Sequence, residues 1–237
     1  MSSDPAGSAR SDQPPMLRLL LAAGAVGPIL FVVILLLEGA TRPGYSAWRN
    51  YGSSLSLSDQ GWEQITNFLL CGALVICFAV GLRQVLHGGK GSLWGPWLIG
   101  AFGLSLIVAG LFVTDPGLGY PPGSPIKGAV HTVHGMIHGL AGLAAFGTIA
   151  AAALVMARRF AGNPNWKGWV PYSIASGLAI PLLFVAFTVT SVQDELGTLP
   201  NAPTGLLQRV AIIIGWGWLA LLATRLLNGV PLGEGQD

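Results

Sequence analysis

The sequence predicts an all-α polytopic membrane protein, a bundle of six transmembrane helices with both termini cytoplasmic. Three observations predict it. Charged residues make up 9% of the 237 positions and hydrophobic residues 52%, with a mean hydropathy of +0.62. A water-soluble domain carries roughly 25% charge. Six hydrophobic runs approach the length of about 20 residues that crosses a bilayer core of ~30 Å. The basic residues are distributed unequally between the connections. This composition excludes a soluble enzyme, a disordered chain and a nucleic-acid binder, which needs a basic patch that a net charge of +2 does not supply.

The six spans are predicted at 17–37, 65–86, 93–114, 130–157, 169–191 and 206–227. Residues 1–16, rich in Ser, Pro and Asp, read as a disordered tail, and 228–237 as another. The first run is too long for the core of a signal peptide and no Ala-x-Ala site follows it, so it reads as an uncleaved span. With the N-terminus on one side, that side holds Arg10, Arg18, Arg83, Lys90, Arg158, Arg159, Lys167 and Arg225. The other side holds only Arg42, Arg49, Lys127 and Arg209. The positive-inside rule then places both termini in the cytoplasm of a prokaryotic cell, with the chain in the inner membrane. Six acids fall on the outer side: Glu38, Asp59, Glu63, Asp115, Asp194 and Glu195.

The first outer connection, about 38–64, is the longest. It carries Tyr45, Trp48, Tyr51 and Trp62, which suit the headgroup level, and it is expected to lie as a lid over the outer face. Asp59 is placed to cap the second span. Glu38 and Arg42 are four apart and pair if the first helix continues past Glu38. Arg209 is placed to pair with Asp194 or Glu195. Pro28 and Pro181 sit inside spans and are expected to kink them. Cys71 and Cys77 lie about 240° apart around a helix, which disfavours a disulfide between them.

The fourth span places His131, His134 and His138 on one helical face. A pair at i,i+3 or i,i+4 can share a metal, but His131 and His138 are ~10 Å apart along the axis. A zinc site would therefore need one pair and a carboxylate from another helix, and Asp115 is the best placed. The metal candidates are His134, His138 and Asp115. Asp115 and His138 are also the catalytic candidates. Against this stands the plainer reading that His131 and His134 are wetted interfacial residues and that only His138 needs a buried partner. Gly135 and Gly139, one turn apart, would let a neighbouring helix approach closely.

Glu38-Gly39-Ala40-Thr41-Arg42-Pro43-Gly44-Tyr45, Ser53-Ser54-Leu55, Gly61-Trp62 and Asn67-Phe68 resemble the prokaryotic membrane family catalogued as domain of unknown function 998. Phe112-Val113-Thr114-Asp115-Pro116 and Gly135-Met136-Ile137-His138-Gly139 are similar to its later motifs. The resemblance covers roughly 17–227. It implies a fold type, carries no activity, and marks Glu38, Arg42, Tyr45, Asp115 and His138 as motif positions. His131 and His134 fall outside those motifs.

The resulting expectation is an outer-leaflet polar cluster of Glu38, Arg42, Tyr45, Asp115, His134 and His138 in a bilayer-embedded protein. It would serve small-solute or ion transport, or an accessory subunit. The alternative is an intramembrane metal-dependent hydrolase acting on a lipid, its bound water activated by zinc. A haem protein fits poorly, because every intramembrane histidine lies on one helix.

Overall fold

The computed structural model describes residues 13–127 and 130–232. Six helices are long and apolar enough to cross a membrane. They are α1 Pro15–Thr41, α2 Gly61–Val85, α3 Trp94–Leu111, α4 Val133–Ala161, α5 Trp169–Leu196 and α6 Thr204–Leu227. No strand occurs among the described residues beyond an isolated bridge between Gly117 and Tyr120.

Each helix packs on its neighbours in sequence, and α1 packs on α6, so the six close into a ring. Small residues set how closely some of them approach. A Cβ on Gly72 of α2 would sit 2.7 Å from the Gly103 carbonyl of α3, and the reverse holds for Gly103. Inside the ring the helices meet through aromatic side chains. Phe31 of α1, Phe102 of α3 and Phe146 of α4 all pack against Trp216 of α6. Phe68 of α2 adjoins Phe31, and Phe187 of α5 adjoins Phe146. This layer, fed by every helix, fills the centre of the bundle. Edge-to-face and tilted geometries such as these suit the ring quadrupole and favour dense packing. Pro28 and Pro181 lie within continuous helices.

At one end of the ring the first and last described residues meet the bundle and the connections α2–α3 and α4–α5. Gln13 donates to the Leu226 carbonyl. Arg159, read from the sequence as a positive-inside charge, is buried and donates to the carbonyls of Gly88, Lys90 and Leu232. Pro231 accepts from Asn163 and from the Trp166 indole. Residues 228–232, expected within a disordered tail, are thus held against the bundle, and Pro15 and Met16 already belong to α1. The rest of both expected tails, 1–12 and 233–237, lies outside the described residues.

The opposite, far end carries the two long connections. The first folds onto the bundle through a short 3-10 turn, Gly52–Ser56, whose Leu55 enters the core. Trp48 donates to the Asn201 carbonyl, and Gln208 of α6 accepts from the Gly52 amide at 2.7 Å. The connection therefore spans from α1 to the α5–α6 turn.

Candidate ligand cleft

The far end holds two polar systems. The first is built on α1, α2 and α6. Helix α1 runs on to Thr41, four residues beyond the predicted end, which brings Glu38 and Arg42 together at 3.2 Å. Arg42 also reaches Glu63 of α2 at 3.2 Å, the carbonyls of Leu55 and Gln60, and the Ser58 hydroxyl. A buried guanidinium is tolerated when its fork of donors is met in this way. Arg42 is thus the post to which the first connection is tied. Asp59 does not cap α2: the helix starts at Gly61, and its N-cap position, Gln60, makes no side-chain cap bond.

Arg209 performs the same service from α6. It donates to the carbonyls of Ala47, Asn50 and Gly205 and to the Tyr45 hydroxyl. Burial pushes the Tyr45 phenol above its ordinary pKa, and the Arg209 charge offsets part of that. The expected pairing of Arg209 with Asp194 or Glu195 does not form. Asp194 instead takes Arg49 in a two-pronged pair at 2.6 and 2.7 Å. Arg49 reaches it because the first connection folds across the α5–α6 turn.

The second system lies between α3, α4 and α5. Asp115 accepts from the Thr132 amide at 2.8 Å and from the Thr132 hydroxyl at 2.6 Å. Thr132 in turn accepts from the Gly135 amide as the N-cap of α4. Both Asp115 oxygens are committed to the start of this helix, where a carboxylate also meets the positive end of the helix dipole. The cap places the helix start at Val133, so His131 lies before it. The predicted three-histidine face is reduced to His134 and His138. His134 is exposed and sits against Phe112.

His138 is buried. Its Nδ1 lies 3.0 Å from the Ala109 carbonyl and 2.9 Å from that of Phe112. These carbonyls are free because α3 stops at Leu111 rather than near 114, and the last carbonyls of a helix lack partners within it. Two acceptors at Nδ1 fix the hydrogen there, which makes Nε2 of the neutral ring an acceptor. No hydrogen bond to Nε2 occurs among the described residues.

Three cavities adjoin along this seam. A polar vestibule of about 220 Å³ is bordered by Asp115, His131, Tyr51 and Glu195. It shares Tyr51, Thr114 and Gly135 with a cleft of about 290 Å³ between α4 and α5. That cleft shares Ser53, His138 and Gln208 with a cavity of about 50 Å³ at the centre of the ring. The inner cavity ends on Phe31, Phe68, Phe146 and Trp216 of the aromatic layer. Two buried donors among its lining residues have no partner, Nε2 of Gln64 and Nε1 of Trp216. Burial pushes the Tyr51 phenol, at the junction of vestibule and cleft, up to about 12, with the Ser191 hydroxyl acting in the opposite direction.

Glycines shape the two ends of the cleft differently. A Cβ on Gly135 would overlap the Asp115 carboxylate, whereas Cβ atoms on Gly139 and Gly142 would meet nothing within 4 Å. The close helix approach expected at Gly135 and Gly139 is absent at both: Gly135 meets the Asp115 side chain of the α3–α4 connection, and Gly139 open space.

The structure thus distributes the predicted cluster. Glu38, Arg42 and Tyr45 anchor the first connection. Asp115 and His138 terminate neighbouring helices, and His134 stands apart. Among the described residues no three His, Cys, Asp or Glu side chains are grouped to hold a metal ion. The neutral residues Gln64, Gln208 and Trp216 were not singled out as site residues. An amide inside an apolar run is the available signal for Gln208, and Gln64 lies just before the predicted second span.

The family described as "Protein of unknown function (DUF998)" matches residues 25–225. No curated protein and no solved structure matches the chain.

Proposed function

We propose that this chain, which belongs to the protein family of unknown function DUF998, is a multi-pass protein of a prokaryotic cytoplasmic membrane that admits a small solute from outside into its α4–α5 cleft, as a transporter does. The excess of Lys and Arg in the connections at the termini end supports placing that end in the cytoplasm. The far end, with its vestibule, then faces outside. The observation that carries the reading is the run of three adjoining cavities from the vestibule to unpaired polar groups at the bundle centre. Buried polar groups without partners cost about 1–3 kcal/mol each. A bound molecule that pairs with them relieves that cost.

The absence of Asp, Glu, Lys and Arg from the residues lining the two inner cavities favours a neutral solute over an ion. The aromatic layer beneath the inner cavity acts as the closed barrier on the cytoplasmic side. The hydrolase alternative would need His134, His138 and Asp115 to converge; among the described residues they form no such group, and both Asp115 oxygens are bonded to Thr132.

Cysteine labelling tests the reading. Gly139→Cys, made in a Cys77→Ser background, should react in intact cells with a membrane-impermeant thiol reagent. Asp59→Cys, in the exposed part of the first connection, serves as the positive control. Reaction of Asp59→Cys with none at Gly139→Cys would remove the proposed entry path. Reaction of neither, with both labelled after cell lysis, would reverse the orientation.

A further inference from the structure

The inner cavity specifies the chemistry of its guest more narrowly than its size does. Its lining includes an acceptor, Nε2 of His138, held in that role by the two carbonyls at Nδ1, and the Ser53 hydroxyl, which can accept or donate. It also includes two donors, the Gln64 amide and the Trp216 indole, both buried and unpartnered. Gln208 accepts from the Gly52 amide through its carbonyl oxygen, which leaves its amide NH2 as a further donor. The remaining wall is mostly aromatic and aliphatic, and no acidic or basic chain faces the guest apart from the imidazole itself. A guest must therefore accept and donate with the same small group and carry no charge.

A hydroxyl is the smallest group that does both. Its oxygen accepts from Gln64 or Trp216 while its hydrogen is donated to His138. A ketone or ether satisfies the donors and leaves Nε2 of His138 unmet. A carboxylate or an ammonium would bury a charge with no counter-charge beside it.

The cleft outside this cavity describes the rest of the guest. Phe146, Phe184 and Phe187 line it, and Gly139 and Gly142 leave its α4 wall one side chain thin. Around its mouth α4 and α5 expose Leu140, Leu143, Val185 and Val189, an apolar surface that faces lipid in a membrane. Thr188 and Gly139, both lining the cleft, are exposed at that surface. The cleft is thus open to the bilayer as well as to the vestibule.

We infer that the cleft binds a neutral, membrane-soluble alcohol, with its hydroxyl in the inner cavity between His138, Gln64 and Trp216 and its apolar body between α4 and α5. A space of about 50 Å³ is large enough to admit a water when no guest is bound. Binding replaces that water with a group that makes the same hydrogen bonds and adds apolar contact. The inference rests on the cleft being an entry path and adds the chemical class of what enters.

The test uses the full chain in lipid nanodiscs and a medium-chain primary alcohol carrying a photoreactive diazirine, with the labelled site mapped by mass spectrometry. Labelling on α4 and α5 is expected, competed by the parent alcohol. The methyl ether of that alcohol should compete about tenfold less well, the loss of one buried hydrogen bond. The matching carboxylate should not compete. Trp216→Phe and Gln64→Leu should each weaken labelling about tenfold, and the pair more. Trp216→Phe removes an unpartnered buried donor, so its thermal stability should be kept, which separates lost binding from lost fold; Gln64→Leu also removes the oxygen that accepts from Asn67 and should lower the midpoint.

Equal competition by alcohol and ether would overturn the inference, as would labelling outside the cleft or labelling indifferent to the double variant. If Gly139→Cys reacts from outside while the alcohol fails to label, the entry path stands and the alcohol class is wrong. If Gly139→Cys is unreactive, the path itself fails.

Discussion

At the far end of the bundle, the side built on α1, α2 and α6 carries two buried arginines, and each is ringed by acceptors. Arg42 has two carboxylates, two carbonyls and a hydroxyl. Arg209 has three carbonyls and a phenol. The inner cavities that open between α4 and α5 have no full charge along them, yet Gln64 of α2 and Trp216 of α6 leave donors unpaired there beside a histidine of α4 with a free acceptor. The contrast separates two uses of polarity inside a membrane protein. Strong charges, ringed by acceptors, fix where a long connection lies. Weak dipoles, left unmet, leave something for a visitor to do. The residues that look most functional in the sequence belong mainly to the first class.

The comparison breaks first, and by the largest margin, at Arg42. Arg42→Ala leaves Glu38 buried with no cation beside it and frees the carbonyls of Leu55 and Gln60. A loss of about 3–5 kcal/mol is expected, as for breaking one side of a buried ion pair. It should show as a large fall in the thermal midpoint of the detergent-solubilised protein and in the amount recovered from membranes. Adding Glu38→Gln to Arg42→Ala should restore part of the midpoint. A midpoint within a degree of the wild type would mean that Arg42 is not the post that ties the connection down.

Much of this architecture is legible in the sequence. Hydrophobic run length locates six helices, and the i,i+4 spacing of Glu38 and Arg42 anticipates their pair. What the pattern cannot supply is the company a side chain keeps across the fold. Asp194 meets Arg49, 145 positions away, because a connection with no periodic signal crosses the α5–α6 turn. The helix ends of α3 and α4 are set by His138 and Asp115, two side chains whose polarity read as chemistry. Gln64 and Trp216 read as one polar residue and one packing residue. Their importance comes from lacking partners, which becomes visible only once every neighbour is placed.

A smaller effect is expected at Asp194. It is 1% exposed and accepts from Arg49 twice and from the Asn201 amide. Asp194→Asn keeps the shape and removes the charge, so the charge-assisted part of two hydrogen bonds is lost. Arg49 is partly exposed and can turn to water, which limits the cost to about 1–3 kcal/mol. The thermal midpoint should fall less than for Arg42→Ala. Proteolysis between α1 and α2 should quicken, since Arg49 holds the middle of that connection. A fall larger than that for Arg42→Ala would shift the anchor of the connection from α1 to α5.

The smallest effects sharpen the comparison most, because they lie one helical turn apart on α4. At Gly135 a methyl group collides with the Asp115 carboxylate that holds the Thr132 cap. Gly135→Ala should cost about 1–2 kcal/mol, the scale of a lost N-cap. At Gly139 the same methyl group enters open space, and alanine is the better helix former by roughly 1 kcal/mol. Gly139→Ala should leave the thermal midpoint unchanged or slightly raised. It should also narrow the cleft and slow the reaction of an impermeant thiol reagent with Ser53→Cys, a residue shared by the cleft and the inner cavity. Gly135, at the junction of vestibule and cleft, would then lose stability through the cap, while Gly139 narrows the cleft at no cost to stability. If both variants lose stability alike, α4 is packed as tightly at Gly139 as at Gly135, and the space beside it is not a cleft kept open by the absence of a side chain.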